Sequence, residues 1–254
     1  MVKNICLTFD VEEFDLPKEY GISISEDEMN NVSLEGLKNI LNLVNSFDVK
    51  CTFFVTTVFA LKNKKLIKEM ALKHEIGYHG YLHSDDYRVS FGNLEKGKKE
   101  LEKIIGKNVV GFRAPRMFGP KRDLLKNLGF VYDSSYVPTY MPGRYNNFFG
   151  KREIFNDSIF VIPVTVLPLL RIPFIWFIFR NFGLWFAKLC TYSNSYVNQY
   201  FHPWEFVDLK DYNVPFFVKR KTGDKCLNLL RKYIQWCKKK KYSFITLNEL
   251  VKNL

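Results

Sequence analysis

Short apolar runs recur along the chain, and between them apolar residues return every three or four positions. The runs at residues 4–9, 51–55, 75–78, 109–112, 130–133, 159–163, 198–202 and 244–245 have the length and composition of strands. The intervening segments have a helical period. Residues 33–47 carry Leu34, Leu37, Leu41 and Val44 behind Ser33, a predicted N-cap, and residues 61–73 are amphipathic. Residues 93–105 carry Leu94, Leu101 and Ile104, and residues 120–128 begin with a proline and stop at Gly129. Residues 224–240 end on Lys238 to Lys241, which suits a helix C-terminus, and Thr246 and Glu249 stand at capping-box spacing before a final helix. Strand and helix alternate throughout. This pattern predicts an α/β fold around a parallel sheet, open or closed.

Two segments break the alternation. Residues 138–156, rich in Tyr, Phe, Asn and Arg, read as a long loop that forms a wall of a site. Residues 160–189 are the most apolar part of the chain. A membrane span needs about 20 apolar residues in a row, and here Pro163, Pro168, Arg171, Pro173 and Arg180 interrupt the run. The remaining readings are core with a subunit contact, which would make a homodimer, and a surface that touches lipid or a lipid-linked substrate.

With 254 residues, 47% of them hydrophobic, the chain fits one domain, 1–254, better than two. The formal charge of +12 favours anionic partners. The lysines are spread over helical segments (residues 62–65, 96–103 and 238–241), as solvated faces require, so no nucleic-acid partner is expected. The five cysteines form no CxxC and read as free buried thiols. No signal peptide precedes the first strand, which suggests a cytoplasmic location, with membrane association left open.

Candidate chemistry gathers where strands end. His79, His83 and His202 follow strand-like runs, as do Asp10, Glu12, Glu13, Arg113 and Asp133. In α/β barrels that end of the sheet builds the active site. His79 and His83 are four apart, and on a helical turn they would share a face. Two histidines and a carboxylate make a catalytic site for zinc and similar metals. Asp10 and Glu12 lie two apart in extended chain and point the same way, so one can hold a metal while the other takes a proton from water. Taken singly, each feature also has a structural reading: a solvated acidic turn, a satisfied histidine pair, a buried His202, a core Trp204.

Five segments together resemble the motif set of the polysaccharide deacetylase family, carbohydrate esterase family 4. Thr8-Phe9-Asp10-Val11-Glu12 resembles the first motif, and His79 to His83 with Ser84 the second. Arg113-Ala114-Pro115 resembles the third, Asp133-Ser134-Ser135 the fourth and Phe201-His202-Pro203 the fifth, in the family's order. Ile162-Pro163-Val164-Thr165 and His202-Pro203-Trp204-Glu205 are most similar to the branch associated with surface-polysaccharide synthesis.

The resemblance implies a deformed (β/α) barrel, usually of seven strands. It implies removal of an N-acetyl group from an N-acetylated glycan, with a divalent metal: zinc, or nickel, cobalt or iron. By resemblance Asp10 is the general base, His79 and His83 are metal ligands, Arg113 pairs with Asp10, and Asp133 tunes His202, the general acid. The commonest first motif has two adjacent aspartates. Val11 stands at the second position, so the metal falls to Glu12, with Glu13 as fallback. Tyr140 and Tyr145, with Phe148 and Phe149, would line an open glycan groove, and Trp204 would stack on a sugar. A small sealed pocket would instead favour a ring-amide hydrolase. A third reading is a glycan-binding protein without turnover.

Overall fold

The computed structural model describes residues 2–83 and 93–254. Strand β1 (Asn4–Val11) opens the main sheet and is followed by β2 (Thr52–Val55), β3 (Glu75–Tyr78), β4 (Gly111–Phe112) and β5 (Tyr132–Asp133). A two-stranded ribbon of β6 (Tyr140–Met141) and β7 (Tyr145–Asn146) stands apart, within the predicted loop. β8 (Phe155–Asp157), β9 (Ile159–Val161), β10 (Tyr196–Phe201) and β11 (Ser243–Phe244) complete the set. The order is β10-β1-β2-β3-β4-β5-β9-β8, with β11 also on β1. Every pairing in this sheet is parallel except β8 with β9. The sheet curls into a deformed half-barrel. The described sheet holds nine strands rather than the expected seven. Between β9 and β10, Asn198 bridges the gap: its backbone N–H donates to Thr165 Oγ1, and its side-chain amide donates to the Ile162 and Pro163 carbonyls.

Alternation along each strand separates two surfaces. Ile5, Leu7, Phe9 and Val11 of β1, Phe53 and Val55 of β2, Ile76 and Tyr78 of β3, and Val197 and Phe201 of β10 face the outer helices and form the main core. The alternate residues Cys6, Thr8 and Asp10, Phe54, Gly77, and Asn198 and Tyr200 belong to the other face. Gly77 has no side chain for a reason: a Cβ there would stand 2.5 Å from the Phe54 ring. All five cysteines are buried and unpaired.

The helices are α1 (Glu26–Ser46), α2 (Thr57–Lys62), α3 (Lys64–Met70), α4 (Leu94–Ile105), α5 (Arg122–Asn127), α6 (Trp176–Tyr192), α7 (Phe216–Lys219), α8 (Asp224–Lys239) and α9 (Leu247–Lys252). α1 begins before Ser33. Ser25 caps it by accepting from the Glu28 N–H, and Glu26, Asp27 and Glu28 fill its first turn, where negative charge is favoured. Its polar opening hides the start from a search for apolar periodicity. The predicted helix over residues 61–73 is two helices broken at Asn63, whose amide donates to the Phe59 carbonyl and to Asn30 Oδ1. The capping box of Thr246 and Glu249 is present at α9. α6 carries much of the apolar segment, and no helix among the described residues is long and apolar enough to cross a membrane.

α1 packs closely on the 3₁₀ turn Pro203–Phe206, which follows β10. Gly36 lies against Pro203, and a Cβ on it would stand 1.9 Å from the Pro203 carbonyl oxygen. This contact fixes the segment that carries His202 to Glu205.

Candidate active site

The inner face of the sheet delivers the polar groups by strand parity. Val11 points outward into the helix-facing core, so it leaves no ligand at that position, while Asp10 and Glu12 share the inner side. His79 follows outward Tyr78, Arg113 follows outward Phe112, and His202 follows outward Phe201. All three therefore turn inward at the C-terminal strand ends. The histidine pair does not sit on a helix. Gly80, at φ +87°, turns the chain, and residues 81–83 form a bend that returns His83 to His79. The two rings lie nearly parallel with centroids 6.3 Å apart. Ser84, the end of the second motif, lies outside the described residues.

Both Nε2 atoms converge on one carboxylate oxygen: His79 at 3.0 Å and His83 at 3.4 Å from Glu12 Oε2. Each ring is held from behind. His79 Nδ1–H donates to the Arg113 carbonyl at 2.9 Å, and His83 Nδ1–H donates to Asp15 Oδ2 at 2.8 Å. These bonds hold both rings with Nε2 forward, the orientation that accompanies metal-bound histidine. Ligands about 2.0–2.1 Å from a metal at tetrahedral angles stand about 3.4 Å from each other, so these donors are of the right type, and each histidine stands near that distance from Glu12. The histidines contact Glu12 directly, and among the described residues no group of three His, Cys, Asp or Glu is arranged to hold a metal ion. Burial works against a charged Glu12, but His83, His79 and His202 outweigh it and hold its pKa down at about 2. Burial likewise opposes the charge on His83, which Glu12 and Asp15 overcome to raise it to about 9. Glu13, the fallback ligand, turns away from the histidines. It accepts from Thr56 Oγ1, and burial raises its pKa.

Asp10 faces the same cavity. Its Oδ1 accepts from Arg113 Nη1 at 2.8 Å. Arg113 is fully buried and immobilised, donating also to Thr8 Oγ1, to the Ser134 carbonyl and hydroxyl, and to Asn198 Oδ1, with its guanidinium over Phe54. On the opposite side His202 Nε2 lies 3.9 Å from Glu12 Oε1. The neighbour of its Nδ1 is Glu205 Oε1 at 3.2 Å, not Asp133. Asp133 instead accepts from Arg122 Nε at 3.0 Å and from the Ser135 N–H and hydroxyl, which ties the end of β5 to the loop after it. Burial pushes the His202 pKa down, but the Glu205 bond and the Glu12 charge raise it overall. Glu205 is completely buried against Arg180, with Nε to Oε2 at 3.1 Å. Arg180 Nη1 donates to the Val218 and Arg220 carbonyls. Glu205, Arg180 and Asp15 were not singled out from the sequence. The signal for Glu205 was its place three residues after His202, where it also accepts from the His202 backbone N–H.

Asp10, Glu12, Asp15, His79, His83 and His202 line a cavity of about 170 Å³ walled by Tyr20, Met117, Trp176, Tyr200, Trp204 and Phe217. It adjoins an outer groove of about 500 Å³ that shares Asp15, Glu19, His83 and Arg116 with it. Arg116 and Met117 hold left-handed backbone, φ +55° and +65°, in the cavity wall. Of the predicted substrate contacts, Tyr140 lies on a separate depression with Phe148 and Phe149. Tyr145 is buried and accepts from Arg144 Nε, so from that segment it is Arg144 that reaches the cavity. Trp204 is 3% exposed, stacked on His202 and packed against Phe14 and Trp176; it supports the histidine more than it faces solvent.

The profile of the polysaccharide deacetylase family matches residues 2–132, more than half of the chain, and the chain belongs to that family. The fold is shared with a protein of Mycobacterium smegmatis described as a polysaccharide deacetylase: TM-score 0.66 at 20% identity, over 99% of this chain and 90% of that one. It is also shared with the allantoinase Puue: TM-score 0.63 at 18% identity, over 98% and 89%. The curated relative YlxY of Bacillus subtilis, itself uncharacterized, is 33% identical over 86 residues, so the match spans 32% of this chain and about a quarter of that protein's length, 27%.

Proposed function

We propose that the chain is a metal-dependent hydrolase that removes the acetyl group from an N-acetylated sugar of a glycan or glycan precursor, with residues 1–254 acting as one catalytic domain. The observation that carries this is the convergence of His79 and His83 Nε2 on Glu12 Oε2, between the Asp10–Arg113 pair and the His202–Glu205 pair. Glu12, His79 and His83 would hold the metal, zinc or another divalent ion that accepts mixed nitrogen and oxygen ligands. A divalent ion there lowers the pKa of bound water and polarises the acetyl carbonyl. Arg113 fixes Asp10 through Oδ1, which assigns the acceptance of the water's proton to Oδ2. Glu205 holds His202 by Nδ1, so Nε2–H is the donor that reaches the departing amine. Trp176, Tyr20 and Phe217 narrow the chamber and keep bulk water from the acetyl group.

The test pairs metal content with acetate release from N-acetylglucosamine oligomers, in wild type and in a His79→Ala, His83→Ala double variant. One metal per chain and acetate in wild type, with neither in the variant, is the expected result. Absence of metal from wild type under zinc and cobalt loading sinks the reading and moves the protein to glycan binding without turnover.

One observation favours a second reading. The inner chamber is small, and the fold is shared with an allantoinase. A ring-amide hydrolase would show metal in wild type, no acetate from any glycan, and ring opening of a small cyclic amide.

A further inference from the structure

We infer that the outer face of α6 is a docking surface for a membrane that carries anionic lipids. Large apolar side chains normally leave the surface of a helix that packs on a core. On α6 four of them stay out: Phe182 is 43% exposed, Trp185 60%, Leu189 40% and Tyr192 53%. Gly183, at φ +74°, kinks the helix. Beyond the kink Trp185, Leu189 and Tyr192 follow at four- and three-residue steps and form one line. Phe182 joins it across the kink, its ring 6.1 Å from Trp185, and both rest on buried Phe186. The ridge is thus continuous and supported from below.

The charge beside this ridge selects the occupant. α6 contains no Asp or Glu. The helix packed against it, α8, has the single acid Asp224 against Lys225, Arg231, Lys232, Lys238 and Lys239. Lys225, Lys232 and Lys239 are exposed and spaced seven apart, along one edge of α8. Lys240 Nζ lies over the Tyr192 ring at 5.9 Å, and Lys188 Nζ over Trp236 at 5.6 Å, so cations border the aromatic end of the ridge directly. Trp and Tyr in line with Leu, flanked by lysines with long apolar stems, is the composition of a helix that lies in a lipid headgroup layer. A second copy of the chain fits the same surface poorly. A two-fold contact through this ridge would bring the lysines of both copies to one interface, where α6 offers no acid and α8 only Asp224 to offset them. An anionic bilayer supplies the opposite charge along the whole row.

Flotation with vesicles of phosphatidylglycerol and phosphatidylcholine tests this, against vesicles of phosphatidylcholine alone, with sedimentation velocity of the protein in parallel. The protein is expected to float with the anionic vesicles at low salt, to do so about tenfold less with the neutral ones, and to weaken as salt rises. The exposed-site variant Phe182→Ser/Trp185→Ser and the charge variant Lys225→Glu/Lys232→Glu/Lys239→Glu should each lose about tenfold in binding while keeping the wild-type melting temperature. A protein that does not float at low salt overturns the inference, as does undiminished flotation of the Phe182→Ser/Trp185→Ser variant. A wild-type dimer that this variant dissociates, with no flotation, assigns the ridge to a second copy and overturns it as well.

Discussion

At the scale of single residues, the site depends on pairs that hold a catalytic group from behind. Asp10→Asn keeps the hydrogen-bonding shape beside Arg113 but removes the base. Acetate release should fall about 100-fold or more, while bound metal, measured by atomic absorption, stays at the wild-type level. Glu205→Gln removes the charge that raises the His202 pKa. In the proposed reaction His202 acts protonated, so activity would be lost as pH rises through its pKa, and the alkaline limb of the pH–rate profile should move to lower pH in this variant. The same substitution leaves Arg180 buried without its carboxylate, at a cost of about 3–5 kcal/mol in denaturant titration. His74 offers a test away from the site. It is buried with neither ring nitrogen bonded, and burial lowers its pKa to about 4. The unfolded chain, at the ordinary value of 6.5, binds a proton that the folded chain refuses between those limits. Its neutral burial therefore supports the fold above about pH 6.5, and that support is lost as pH falls toward 4. His74→Phe should flatten the acid side of a stability–pH curve measured by urea unfolding.

At the scale of elements, the position of His202 is set by a helix far from it in sequence. Ala at an exposed helical glycine stabilises by about 1 kcal/mol. At Gly36 the added methyl would enter the Pro203 carbonyl, so Gly36→Ala should instead destabilise by about 1–3 kcal/mol and slow acetate release, since the displaced turn carries Glu205 and adjoins His202. What was legible in the sequence follows the same division. Strands with strong alternation, such as β1 and β3, were visible because their outward residues are all apolar. The placement of Asp10 and Glu12 on one face was visible because parity needs only local sequence. The start of α1 was not visible, since its first turn is held by a cap and by charge rather than by burial. The pairing of His202 was read as Asp133 and found in Glu205, because both acids are near a strand end and only tertiary packing, with Arg122 on one and Arg180 on the other, decides which is available. Tyr140 and Tyr145 share a ribbon, but Tyr140 is exposed on a separate depression and Tyr145 is buried, so neither lines the cavity.

For the whole molecule, alternation of strand and helix was enough to give the class of fold, and the order of motifs gave the end of the sheet where the candidate site residues gather. The closure between β9 and β10 was not foreseeable, because it rests on the Asn198 amide and on Thr165 rather than on a regular ladder. The pairing of β1 with β10 has a kinetic consequence. Thr8 donates to the Gln199 carbonyl, so the first strand of the chain waits for a partner 191 positions later. While the chain emerges from the ribosome, β1 and β2 can pair, yet the other edge of β1, with Ile5, Leu7 and Phe9 beside it, has no strand to meet. Folding with so distant a partner is slow, and the waiting edge is a template for other chains. Yield in heterologous expression should therefore be governed by how long that edge stays open, and slower synthesis at lower temperature, with chaperones in excess, should recover soluble protein without any change in sequence.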